Sequence, residues 1–188
     1  EQGLMSLPMG LENGSPIEGD LANLRHFFDR GIRYISLTHS LSNHLSDSSY
    51  DDNKQWNGLS EFGIDVLREM NRLGIMIDVS HVSDDAFWQI LAVSRTPVIA
   101  SHSGARALCD HPRNLDDARL AAIAERGMFV ALNALAEFVG GARTVDAFLD
   151  HVEHATVLVQ HARQAVDTEH RDQDHPKRRE DDEGVHHR

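Results

Sequence analysis

Three histidines stand directly behind short apolar runs, in Tyr34-Ile-Ser-Leu-Thr-His39, Ile77-Asp-Val-Ser-His81 and Val98-Ile-Ala-Ser-His102. A single histidine near a strand end is more often a hydrogen-bonded structural residue than a ligand. Three in the same position change that reading. Parallel strands bring their C-terminal ends to one face, about 4.8 Å from neighbour to neighbour, so imidazoles leaving several such ends can meet at one cation. Glu12 ends a further apolar run over 4–11. It is either a solvated loop acid or a carboxylate that joins the imidazoles at a metal. Arg113, in Cys109-Asp-His-Pro-Arg113-Asn, follows the His102 run. It is either a surface ion-pair partner or a guanidinium that grips a substrate carboxylate through paired hydrogen bonds, a role lysine fills poorly. His26, His44, His111, His151 and His154 lack this placement and read as surface or packing residues.

The elements that must position these groups alternate between amphipathic helices and short apolar strands from Leu21 to about Val159, the pattern of βα units on a parallel sheet. Strands are predicted over 32–38, 75–80, 97–101 and 128–133, with an earlier one over 5–12. Their near-continuous apolarity suits strands covered on both faces. Leu59, Phe62, Val66, Leu67, Met70 and Leu73 recur at helical spacing and Gly74 follows as a stop. Gly31 and Gly127 end two other helices in the same way. Ser83 with Asp84 and Asp85 caps a helix over 86–93, and another begins near Asp116. The polar loop 40–57, with Tyr50 and Trp56, is a candidate lid or binding loop.

The 188 residues are 40% apolar, enough for a core of one domain. A formal charge of −12 argues against nucleic acid and anionic membrane as partners, since phosphate surfaces are bound by a basic stripe. Small molecules and metal cations fit better. Cys109 is the sole cysteine, so no intramolecular disulfide forms, which points toward the cytoplasm. No run approaches the roughly 20 apolar residues that span a bilayer, and residues 1–19 lack the basic and apolar regions of a signal peptide. A start without methionine, running straight into an apolar stretch, leads us to expect further sequence upstream. After Val159 the character changes: residues 160–188 carry almost no large apolar side chain and cannot offset their ordering entropy. This polar tail is expected to be disordered or out of frame, and His186 and His187 belong to its compositional bias.

The blocks Gly10-Leu-Glu12-Asn-Gly-Ser-Pro-Ile, Tyr34-Ile-Ser-Leu-Thr-His39, Glu69-Met-Asn-Arg-Leu-Gly-Ile-Met-Ile-Asp-Val-Ser-His81-Val-Ser and Val98-Ile-Ala-Ser-His102-Ser occur in one order, with Arg113 beyond them. Together they resemble the membrane (renal) dipeptidase family of zinc metallopeptidases over about residues 5–158. The resemblance implies a partial (β/α)8 barrel of the metal-dependent hydrolase type over 1–159. It implies hydrolysis of dipeptides by a zinc-activated hydroxide, with two zinc ions in a complete site. Glu12 would bridge both ions, and His81 and His102 would complete the ligands of the second. His39 would contact the substrate and polarise the scissile carbonyl, and Arg113 would hold the dipeptide's C-terminal carboxylate.

The family's His-x-Asp pair for the first zinc lies before the point where this chain begins, and its later aspartate base is replaced here by the polar tail. At most one ion is therefore expected, and the chain as written reads as incomplete and inactive. A complete barrel takes about 250 residues. Two alternatives stay open: another amidohydrolase-like metal-dependent hydrolase acting on a non-peptide amide or ester, and a non-catalytic remnant. Association with further copies of itself also stays open.

Overall fold

The computed structural model describes residues 7–141 and 144–174. Five strands, β1 (Met9–Glu12), β2 (Ile32–Ser36), β3 (Met76–Asp78), β4 (Val98–Ser103) and β5 (Phe129–Leu132), form one sheet. Each pairs in parallel with the next, in the order β1-β2-β3-β4-β5. Between them lie α1 (Ala22–Asp29), α2 (Glu61–Leu73), α3 (Asp84–Val93) and α4 (Asp117–Glu125), and α5 (Val145–Asp174) follows. Sequential order with parallel pairing means that every crossover steps the same way. With right-handed crossovers all the helices then cover one face, the winding of a barrel rather than of a two-faced open sheet.

Helix ends follow the chemistry predicted at Ser83, Asp116 and Gly74, and Ser60 adds a cap not predicted. Ser60, Ser83 and Asp116 accept the backbone N–H of Gly63, Ala86 and Arg119, each three residues on. Gly74 closes α2 at φ 79°, a left-handed conformation open to glycine at little cost. On the covered face Ile35, Leu37, Ile77, Val98 and Ala100 meet Leu24, Val66, Leu67, Met70, Phe87, Ile90 and Leu120, all buried in one cluster. Each such side chain stabilises the fold by roughly 1.5–3 kcal/mol.

The other face carries the polar groups. Glu12, Ser36 and Asp78 are register partners across β1, β2 and β3, as are Gly10, Tyr34 and Met76. A Cβ on Gly10 would lie 2.1 Å from the Tyr34 ring, so the ring rests where only glycine leaves room.

The predicted strands appear with trimmed ends except β4, which starts one residue later than predicted and runs two residues further to Ser103, and residues 5 and 6 of the earliest lie outside the described residues. One boundary differs. Helix α5 passes Val159 and runs to Asp174, so residues 160–174 of the expected tail continue a helix. They contain no glycine or proline, and Gln160, Ala162, Arg163, Gln164, Ala165, Glu169, Arg171 and Gln173 are types that favour helical backbone. Residues 175–188, including His186 and His187, lie outside the described residues.

Candidate metal centre

The ends of the strands and the loops behind them bring the four predicted residues together. Glu12 ends β1, His39 lies three residues beyond β2, His81 three beyond β3, and His102 is the next-to-last residue of β4. His81 Nε2 lies 3.0 Å from Glu12 Oε1 and 2.8 Å from His102 Nε2, and His102 Nε2 lies 3.1 Å from the same Glu12 oxygen. Two imidazole nitrogens and one carboxylate oxygen thus form a closed triangle. His39 stands at its rim: Nε2 is 3.7 Å from Glu12 Oε1, and its ring lies 4.4 Å from that of His81, centre to centre.

The donor set fits a borderline divalent cation. Tetrahedral zinc with bonds of about 2.0–2.1 Å holds its ligand atoms ~3.4 Å apart. The triangle need open only a few tenths of an ångström to reach that spacing. Protonation does not compete strongly. Burial, then the nearby Arg113 charge, pushes the His81 pKa down to about 4, and the same two causes depress His102. Both rings are therefore neutral at pH 7, the form a metal ligand must have. The ring nitrogen of His81 turned away from the triangle, Nδ1, is buried without a hydrogen-bond partner.

Arg113 is not the surface ion-pair partner that one reading allowed. It is 3% exposed, and among the described residues it makes no ion pair. One guanidinium N–H donates to the His102 carbonyl at 3.2 Å, the group lies 5.5 Å from the Phe138 ring centre, and Nε has no partner. Burial holds its pKa below the ordinary guanidinium range. A cavity of about 480 Å³ joins this cation to Glu12, His39, His81 and His102, with Tyr50 and Phe138 among its walls.

Several further residues line the site or hold the loop beside it, two of them, Tyr50 and Trp56, from the loop read as a candidate lid or binding loop. Tyr50 comes from the long loop, which is pinned rather than loose. The buried Asp47 carboxylate accepts from the backbone N–H of Gln55 at 2.7 Å, Trp56 at 3.2 Å and Gly58 at 2.9 Å. Trp56 Nε1 donates to the Asn43 carbonyl. His111 packs against Phe138 and Tyr50 beside Arg113. The available signal for Asp78 was an acid inside the apolar run Ile75-Met-Ile-Asp78-Val.

A parallel, sequentially wound sheet with imidazoles and a carboxylate gathered at its C-terminal edge is the arrangement of a barrel-type fold with a candidate metal centre. Residues 1–161 match the family described as membrane dipeptidase (peptidase family M19). The chain belongs to that family. It is 37% identical over 153 residues to an uncharacterized dipeptidase of Schizosaccharomyces pombe, covering 80% of this chain and 37% of that protein. It is 36% identical over 157 residues to Dipeptidase 3 of Rattus norvegicus, covering 80% of this chain and 32% of the relative. The chain thus spans about a third of the length of these relatives.

Among solved structures it resembles an amidohydrolase from Pseudomonas aeruginosa at 30% identity and a TM-score of 0.74, over 80% of this chain and 46% of that one. The same figures hold for a metallo peptidase from Rhodobacter sphaeroides liganded with a phosphinate mimic of the dipeptide L-Ala-D-Ala.

Proposed function

We propose that this chain carries one metal site and the carboxylate-binding cation of a zinc-dependent dipeptidase. The observation that carries the reading is the triangle of Glu12, His81 and His102 sharing one cavity with a buried, unpaired guanidinium. Glu12, His81 and His102 would hold the ion. Zinc bound there supplies Lewis-acid polarisation of a carbonyl and brings the pKa of a water toward 7.

The chain's own residues account for the rest. Arg113 Nε and its terminal nitrogens present a planar fork for a carboxylate, and a dipeptide ends in one. A substrate so anchored places its peptide carbonyl toward the histidines. His39, about half exposed at the cavity rim, is positioned to donate from a ring N–H to the carbonyl oxygen as it gains negative charge. Its other nitrogen, Nδ1, meets Ser40 Oγ at 3.0 Å. Tyr50 and Phe138 wall the cavity and limit water near the cation.

Three protein ligands with an open position make a normal catalytic zinc site, but among the described residues a second ion would have only Glu12 and the rim residue His39, whose ligand atoms also group with that of His81. We therefore expect this chain to bind at most one divalent ion and to turn over little dipeptide. A longer chain extended at both ends should bind two and be active. The experiment is metal analysis of both proteins with hydrolysis assays on dipeptides and on their C-amidated analogues. Preference for the free carboxylate is expected. Equal rates on amidated analogues would favour an amidohydrolase of another substrate class, and two tightly held ions with full turnover in this chain would refute the one-ion reading.

A further inference from the structure

Asp78 is fully buried on the site face of the sheet, and nothing in the reading above uses it. We propose that Asp78 and Ser101 are positioning residues that fix His102 with its proton on Nδ1, turning the Nε2 lone pair toward Glu12 and His81. The metal-related part of this inference rests on His102 being a ligand.

Asp78 Oδ1 accepts the backbone N–H of Ser80 at 3.1 Å and of Ser101 at 2.9 Å. Amides only donate, so this oxygen only accepts. Asp78 Oδ2 lies 2.5 Å from Ser36 Oγ and 2.6 Å from Ser101 Oγ. Two oxygens at 2.6 Å need a proton between them, and with the carboxylate ionised that proton is the Ser101 hydroxyl's. Ser101 Oγ also lies 2.8 Å from His102 Nδ1. Having given its only hydrogen to Asp78, the hydroxyl can meet Nδ1 only as an acceptor. Nδ1 therefore carries the proton, and Nε2 is left with its lone pair 2.8 Å from His81 Nε2 and 3.1 Å from Glu12 Oε1.

The backbone supports the same arrangement. Consecutive strand residues point to opposite faces, so a regular β4 could not bring Ser101 Oγ onto the ring of the next residue. The pairing of β4 with β5 slips between Ala100 and Ser103, and the irregularity turns both side chains to the site. Ser80 Oγ accepts the His102 backbone N–H at 3.0 Å and anchors the irregular segment. His81 has no counterpart of this chain, since its Nδ1 lacks a partner. The tautomer is thus fixed at one of the two histidines.

The test uses the metal-free 188-residue chain first. Imidazole nitrogen chemical shifts, at a pH where His102 is neutral, report which nitrogen is protonated. The parent and Ser101→Thr should show Nδ1–H. Ser101→Ala removes the acceptor, and Asp78→Asn offers Ser101 an N–H and releases its hydroxyl to donate to Nδ1, so both should move the proton toward Nε2. Zinc affinity, read by competition with a chromophoric chelator, should fall about 10–100-fold in both, with Ser101→Thr close to the parent.

A parent with its proton on Nε2 overturns the proposal. So does unchanged zinc affinity in Ser101→Ala when His102→Ala loses the metal. If His102→Ala binds zinc like the parent, the ligand assignment has failed instead, and the tautomer measurement still decides the positioning role. Should Asp78→Asn not fold, the alanine and threonine pair at 101 decides alone.

Discussion

Replacing Arg113 with methionine should make the chain more stable while removing its affinity for carboxylates. The guanidinium is 3% exposed, has an unpartnered Nε, and faces no carboxylate within ion-pair distance among the described residues. Removing a charge of this kind from water costs several kcal/mol even after relaxation. Against that stand one hydrogen bond at 3.2 Å and the contact with the Phe138 ring at 5.5 Å, worth about 1 kcal/mol and about 0.5–1 kcal/mol. The balance favours methionine, which fills much of the same space without the charge, by roughly 1–2 kcal/mol. For a chain of this size that is a rise of about 2–8 °C in Tm.

The assay is thermal and urea denaturation of both proteins, with and without a free-carboxylate dipeptide. Ligand at about a hundred times its Kd should stabilise the parent by about 2.7 kcal/mol and leave the variant unmoved. A variant less stable than the parent, in a parent indifferent to carboxylates, would refute the reasoning, because the cation would then be an integral part of the fold.

Other outcomes follow from single observations. Asp47→Ala strips three backbone N–H groups of their acceptor. It should cost roughly 2–4 kcal/mol in urea denaturation and open the loop 40–57 to limited proteolysis. Gly10→Ala places a methyl group 2.1 Å from the Tyr34 ring, and a loss of about 1–3 kcal/mol is expected from the same denaturation curves. His151 is buried, its Nδ1 accepts the Ala105 N–H at 2.9 Å, and burial depresses its pKa. The folded state keeps this ring neutral while the unfolded chain protonates it below about 6.5, so its contribution is complete above that pH and shrinks as pH falls toward the folded pKa. Denaturation midpoints should therefore fall less steeply on acidification in His151→Gln than in the parent.

The residues most legible in the sequence were those whose position in an element repeats. His81 and His102 follow apolar runs of matching length, and both lie at the C-terminal side of the strands those runs form, His81 three residues beyond β3 and His102 within β4. Ser83, Asp116 and Gly74 were legible because caps depend on local backbone chemistry alone. Glu12 was ambiguous between loop and ligand, since one acid after one apolar run does not say which strands lie beside it. Only the pairing of β1 with β2 brings it to the histidines. Arg113 was ambiguous for a similar reason: burial is a property of the surrounding chain, here Phe138 and Tyr50, which lie 25 residues after it and 63 before it. Asp78 and Asp47 had no visible role because their partners are backbone amides and serine hydroxyls, types too common to stand out. The extension of α5 past Val159 was missed because the reading weighed apolar spacing and gave no weight to helix propensity.

The site also reports the shape of the sheet. Glu12 and His102 belong to β1 and β4, three strand spacings apart, which in a flat sheet is about 14 Å between backbones. Their ligand atoms lie 3.1 Å apart. Side chains leaning inward cover part of that distance, but His81, from the loop behind β3, touches both, so all three ends must tilt toward one axis. The sheet is therefore strongly curved with only five strands, as closure into a barrel demands. Two irregularities supply local bending, between Met9 and Gly10 in β1 and between Ala100 and Ser103 in β4, one beside each outer ligand. The polar row of Glu12, Ser36 and Asp78 lies on the concave side of that curve, where Asp78 ties β2, β3 and β4 together through Ser36, Ser80 and Ser101. One carboxylate thus holds the curvature that makes the metal triangle and orients a histidine within it, so loss of Asp78 should disturb shape and ligand geometry together, whereas loss of the Ser101 hydroxyl should disturb only the second.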